Sequence, residues 1–223
     1  MKKATFLFAA LLGAGLATSA HAQGLRFGVK AGANLSNLSG DLTNQDKYKN
    51  KFGFEGGLLL NASIVTDLLS IQPEVLFSQK GFKYGDNSYS VFGNTYKYTG
   101  TRTYNYLDVP VLLKVKAAGL FFEAGPQYSY LLSVRDNSSI TSNGNPVSGS
   151  ANNQSLNNVR RSEIGYAAGL GYEASNGVFL DLRYNGSFTD FAKDGYNGSD
   201  QDLRNARNSV FQASVGFLLP SSK

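Results

Sequence analysis

Residues able to do covalent or acid–base chemistry are few in this chain. Its 223 residues hold one histidine, no cysteine and no tryptophan. The histidine, His21, and the single methionine, Met1, both precede residue 23. Imidazole activation of a serine is therefore closed to residues 23–223, which argues against a Ser-His-acid hydrolase. Thiolate and imidazole metal sites are closed to it as well. What remains is carboxylates and amines. Lys30, Glu55, Glu74, Lys80, Asp108, Lys114, Glu123, Glu163, Glu173, Asp181 and Arg183 recur between apolar neighbours. Two such carboxylates could serve as general acid and base. Seven acids interleaved with four bases suit a salt-bridged interior better, and that is the expected role. The segment Asp194-Gly-Tyr-Asn-Gly-Ser-Asp200-Gln-Asp202 clusters oxygen ligands. It lacks the spacing and terminal glutamate of a calcium loop and reads as solvated. Gly169-Leu-Gly171 sits mid-strand and opens no helix, so it is no nucleotide-binding turn. No cofactor, metal or catalytic residue is expected.

The elements that carry these charges alternate with period two, the signature of strands whose successive side chains face opposite ways. Eight such stretches are read: 27–34, 52–62, 69–81, 104–116, 119–134, 161–175, 177–189 and 208–219. In the first, Phe27, Val29, Ala31 and Ala33 oppose Gly28, Lys30, Gly32 and Asn34. In the seventh, Val178, Leu180, Leu182 and Tyr184 oppose Asp181, Arg183, Asn185 and Ser187. No charge falls on the apolar face of any stretch, where lipid would penalise a mid-depth lysine or arginine by roughly 2–4 kcal/mol.

The N-terminus has its own logic. Lys2 and Lys3 precede an apolar run over 4–17, and Ala20-His21-Ala22 is an A-x-A cleavage site. Residues 1–22 are expected to be a cleaved signal peptide, leaving 23–223 as a single domain. Cleavage removes two lysines, so the formal charge falls from +5 to +3. Secretion and the absence of a basic cluster argue against a nucleic-acid partner. No later apolar run approaches the 18 or so residues of a membrane helix.

Connections alternate too. Short links lie near 63–68, 116–118 and 175–177, and long polar ones near 35–51, 82–103, 135–160 and 190–207. This is the layout of an all-β, eight-stranded antiparallel up-and-down transmembrane β-barrel, with short periplasmic turns and long extracellular loops. A soluble periplasmic lipocalin-like barrel binding an apolar ligand is the alternative. Glycines on the polar face, where a narrow barrel has little room, favour the membrane barrel. Tyr104, Tyr106, Tyr128, Tyr130, Tyr166, Tyr172 and Tyr184 are expected at interfacial girdles. Pro73, Pro110 and Pro126 should bring bulges or missing ladder bonds. Between the third and fourth stretches, Tyr84, Tyr89, Phe92, Tyr96 and Tyr98 stand among polar residues with Lys83 and Lys97. They form a possible contact surface, or extend a hairpin beyond the membrane.

Several stretches resemble one family. They are Phe27-Gly-Val-Lys-Ala-Gly-Ala-Asn-Leu-Ser36, Ser70-Ile-Gln-Pro-Glu-Val-Leu-Phe-Ser-Gln-Lys-Gly81, Tyr106-Leu-Asp-Val-Pro-Val-Leu-Leu-Lys114, Phe122-Glu-Ala-Gly-Pro-Gln-Tyr128 and Leu180-Asp-Leu-Arg-Tyr-Asn185. Together they resemble the PorT-like outer-membrane β-barrel family of Bacteroidetes. The resemblance implies an eight-stranded barrel in the cell outer membrane, among lipid and lipopolysaccharide, with no settled function. The expected role is non-enzymatic, structural or surface-binding through the long loops.

Overall fold

A computed structural model describes residues 24–42, 47–153, 159–192 and 205–220. The expected signal segment and the oxygen-rich loop 194–202 lie outside them. The strands are β1 (Leu25–Gly40), β2 (Tyr48–Val65), β3 (Leu69–Val91), β4 (Asn94–Ala117), β5 (Leu120–Ser142), β6 (Asn145–Asn153), β7 (Ser162–Glu173), β8 (Val178–Ser187) and β9 (Ala206–Leu218).

All pairings between these strands are antiparallel. Neighbours follow the chain through β1, β2, β3, β4 and β5, then β7, β8 and β9. The ring closes where β9 returns to β1, from Gly28↔Leu218 to Gly40↔Ala206. Eight strands thus leave no edge within the ring, the condition for a sheet to cross lipid. Among the described residues no helix is long and apolar enough to cross a membrane. The outer wall is apolar: Phe27, Leu58, Val75, Phe122, Leu170, Leu180 and Phe211 are all exposed on it.

The ninth strand is a departure from the expected long loop over 135–160. β5 continues upward, turns at Asn143-Gly144 and returns as β6, which pairs with β5 alone. The link over 82–103 takes the second of the two forms the sequence left open, a hairpin extended from the barrel: β3 and β4 pair as far as Val91↔Asn94. Both turns place their two central residues at positive φ, 49° and 78° at Phe92-Gly93 and 49° and 84° at Asn143-Gly144. That turn geometry matches the twist of a two-residue hairpin. These stretches read as long links because polar residues occupy both faces. Above a membrane both faces meet water, so the binary pattern vanishes while the strand persists.

The prolines interrupt pairing without shifting it. β2–β3 partners pass from Leu59↔Glu74 to Ala62↔Ile71, and β3–β4 partners from Pro73↔Val111 to Leu76↔Asp108, each in constant register. β4–β5 partners skip likewise from Pro110↔Gln127 to Leu113↔Ala124. The register shifts fall elsewhere, at Asn50/Glu55, Ser63/Val65, Tyr84/Asn87 and Asn105/Tyr106.

The interior is tight enough to select glycine. A Cβ on Gly171 would lie 2.3 Å from Phe121 Cζ and 2.2 Å from the Leu180 carbonyl oxygen. Gly171→Val should therefore lower the temperature at which the folded band disappears in heat-modifiability gels, at a cost of about 1–3 kcal/mol. Gly93, with φ of 78° and open space around it, should accept Asn without change on the same gels.

Candidate functional site

All eleven charges singled out in the sequence point into the barrel, and none is more than 7% exposed. At mid-depth Arg183 of β8 bridges to β3, across the ring, and to β5, two strands away. Its Nη1 and Nη2 donate to Glu74 Oε2 and Oε1 at 2.8 and 3.0 Å, a bidentate pair, and its Nε donates to Glu123 Oε1 at 2.8 Å. Lys30 Nζ lies 3.0 Å from Asp181 Oδ2 and 3.4 Å from Glu55 Oε1. Six of the eleven residues therefore form one connected cluster.

Polar connectors extend it. Gln212 of β9 donates to Glu55 and to Asn34 Oδ1, and Asn34 donates to Ser78 Oγ. Gln72 donates to Glu74, and Asn61 to Gln72. A level higher, Lys80 Nζ meets Asp108 Oδ1 at 3.0 Å. Nearby, Asn208 donates to Glu163 and to the Tyr106 hydroxyl. Glu74 and Glu123 are committed to one guanidinium, so this arrangement holds charge in place rather than presenting a free acid–base pair.

The ends of the interior differ from the sequence reading. Tyr104 and Tyr106, expected at an interfacial girdle, are fully buried inside. With Leu38, Tyr48, Phe82, Leu131, Val134, Val159 and Phe191 they make an apolar plug at the long-hairpin end. Tyr104 and Phe191 stack edge-on with centroids 4.7 Å apart. The alternation of the fourth stretch already sets Tyr106 on the polar face with Asp108 and Lys114, and Tyr104 continues that inward register. A smaller plug of Leu59, Phe121, Phe179 and Leu218 fills the short-turn end. Lys114 Nζ sits 3.6 Å from the Phe121 ring centroid, a cation–π contact, and 3.4 Å from Glu173 Oε2. Arg26 and Lys116, not singled out in the sequence, complete this mouth by pairing with Glu173 Oε1 at 2.6 and 3.2 Å.

Beyond the long-hairpin plug, β3, β4, β5 and β6 continue as a four-stranded sheet. Phe92 at its tip is 99% exposed. Tyr96 is half-buried on β4, and Tyr84 packs edge-on against Phe82 at 5.2 Å, at the root of the sheet. Tyr89 faces Tyr96, and Asn87 faces Tyr98, in the β3–β4 register. Of the five candidate contact residues, four therefore belong to the projecting hairpin and Tyr84 to its base. Arg102 and Asp136 pair at 3.3 Å at this base. Burial lifts the Asp136 carboxyl above its usual range, and the Arg102 charge pulls the other way.

Removing one partner of the central cluster should be far worse than removing a whole pair. Arg183→Met strands two buried carboxylates and should cost about 3–5 kcal/mol, read as a lower urea midpoint of the refolded barrel. Adding Glu74→Gln and Glu123→Gln to it should recover most of that loss.

The profile of the outer membrane protein beta-barrel domain family matches residues 19–193. No curated protein sequence matches the chain. Among solved structures, neisserial surface protein A (NspA) is similar at 15% identity and a TM-score of 0.49, with 87% of this chain and 99% of that chain covered. A major outer membrane protein from Thermus thermophilus gives 14% identity and a TM-score of 0.45, over 87% and 99% of the two chains. The attachment invasion locus protein Ail of Yersinia pestis, solved with the heparin analogue sucrose octasulfate, gives 12% and 0.43, over 88% and 100%. The family match spans most of the chain and agrees with a closed ring that is apolar outside and charged within, which a soluble calyx inverts. The chain belongs to the outer membrane protein beta-barrel domain family and is an integral protein of the outer membrane.

Proposed function

We propose that this protein is a non-enzymatic, non-conducting barrel that holds the β3–β6 sheet above the cell surface as a binding platform. The observation that carries this reading is strand length. β3, β4 and β5 run for 23, 24 and 23 residues. A tilted strand crosses a bilayer in about 9–11 residues. The surplus is ordered by cross-strand pairing rather than left as loop, and it ends in an exposed phenylalanine. In this reading the hairpin end faces outward and the short turns face the periplasm. Residues 1–22 are the cleaved signal peptide, and 23–223 form the one domain.

The absence of histidine and cysteine from residues 23–223 supports a non-enzymatic role. Side chains fill the narrow ring at both ends, which supports a non-conducting one. The Gln72-Pro73-Glu74 and Asp108-Val109-Pro110 strands support placing the chain with the PorT-like barrels of Bacteroidetes, and Glu74 and Asp108 are among the interior charges. Its surroundings are outer-membrane lipid and lipopolysaccharide.

Replacing 86–98 with an Asn-Gly turn tests the platform. The shortened chain should keep its heat-shifted mobility, while cells carrying it lose adherence to immobilised glycans and proteins that bind cells carrying the full chain. Equal adherence would retire the platform. Discrete conductance steps from the full chain in planar bilayers would retire the non-conducting reading.

A further inference from the structure

Just above the apolar belt, the outer wall carries cations where strand pairing should disfavour them. Lys49 of β2 and Lys83 of β3 are direct cross-strand partners, and both are exposed. Directly opposed like charges destabilise an antiparallel pair. Arg135, also exposed, faces Thr103, which in turn faces Gly81, two residues below Lys83 on β3. Arg161 leans its guanidinium 4.9 Å over the Tyr130 ring and donates to the Leu131 carbonyl.

Among the described residues no carboxylate pairs with any of these four. Asp136 is taken by Arg102, and Asp190 by Arg207. Beneath the cations runs a chain of polar side chains with two amides at its centre: Lys51 Nζ donates to Gln79 Oε1, Gln79 to Asn105 Oδ1, and Asn105 to Ser133 Oγ. Beneath that, Phe77, Leu107 and Tyr130 begin the apolar belt in one register row. Lys83 stands six residues above Phe77, roughly 15 Å after barrel tilt. That height is above the acyl chains and level with a sugar headgroup.

We propose that Lys49 and Lys83, with Arg135 two strands along, clamp phosphate groups borne on the sugars of an outer-leaflet glycolipid. A dianion between the two ammoniums turns an opposed pair into a bridged one, and the Arg135 guanidinium is placed for a second phosphate on the same lipid. The polar chain below offers hydrogen bonds to sugar hydroxyls. The site rests on the reading that the hairpin end faces the outer leaflet.

The test compares full-length wild type with the Lys49→Gln/Lys83→Gln variant in four bilayers, by the temperature at which the folded band is lost. The bilayers are phosphatidylcholine alone, with bisphosphorylated lipid A, with dephosphorylated lipid A, and with inorganic phosphate in the buffer. In phosphatidylcholine alone the variant should match or exceed wild type, because a repulsion has been removed. Bisphosphorylated lipid A should raise wild type by roughly 3 °C or more and leave the variant unchanged. Equal rises in both proteins, or an equal rise with dephosphorylated lipid A, would overturn the clamp. A full rise with inorganic phosphate would overturn the assignment to lipid. Protease added to intact cells separates this from the reading beneath it. An uncut hairpin at 86–98 would refute the outward orientation, whereas the reconstituted bilayers report on the clamp from either side.

Discussion

Arg183 cannot reach water, and the fold depends on how that is resolved. A guanidinium enclosed in a narrow ring must find its carboxylates within the ring, and it finds Glu74 on β3 and Glu123 on β5. Fixing that contact fixes much else. Strands must alternate strictly, because a slip of one residue would turn Arg183 into lipid and Leu182 inward. Glycines must stand on the inward register, since the bridging side chains consume the space. Gln212, Asn34 and Gln72 must supply hydrogen bonds around the carboxylates, because a buried charge with unmet bonding capacity is expensive.

The interior is layered as a consequence. Charges occupy the middle, where strands from opposite walls can reach one another, and apolar clusters close both ends. The aromatic plug at the hairpin end separates the charged middle from the projecting sheet. The short-turn end is finished by one carboxylate, Glu173, shared among Arg26, Lys114 and Lys116. Such a barrel is rigid in its middle, and in the proposed function its contacts with partners lie on the strands that leave the membrane.

Within the membrane the sequence was informative because lipid outside and packed charge inside impose opposite demands on alternate residues. That contrast marks the strand cores and the faces of Lys30, Glu74 and Arg183. It fails where the contrast fails. Tyr104 and Tyr106 were read as girdle residues because tyrosine suits an interface and a plug equally, and only register separates the two. The stretch 82–103 lost its binary pattern on leaving the membrane, so the residues left a hairpin extension as one of two readings rather than fixing it. Asn143-Gly144 carries a hairpin signal in its residue types, whereas Phe92-Gly93 carries only half of one. Of the bulges or missing ladder bonds expected at the prolines, the structure has missing pairs in constant register. Arg26 stood outside the strand pattern, and its role came from its nearness to Glu173 across the closed ring.

The interior pairs join residues far apart in the chain: Lys30 to Asp181 across 151 positions, and Arg183 to Glu74 across 109. Neither of these two can form before β8 is in place. A half-assembled chain holding only its first four strands would keep Lys80 with Asp108 and Lys30 with Glu55, but would carry Glu74 without Arg183 and Lys114 without Glu173. It would be poorly suited to lipid until β8 and β9 arrived. The charges therefore act as a completeness check during membrane insertion. The pairs that reach β7 and β8 are satisfied only late, so that the order of assembly is biased by the same residues that hold the finished wall together.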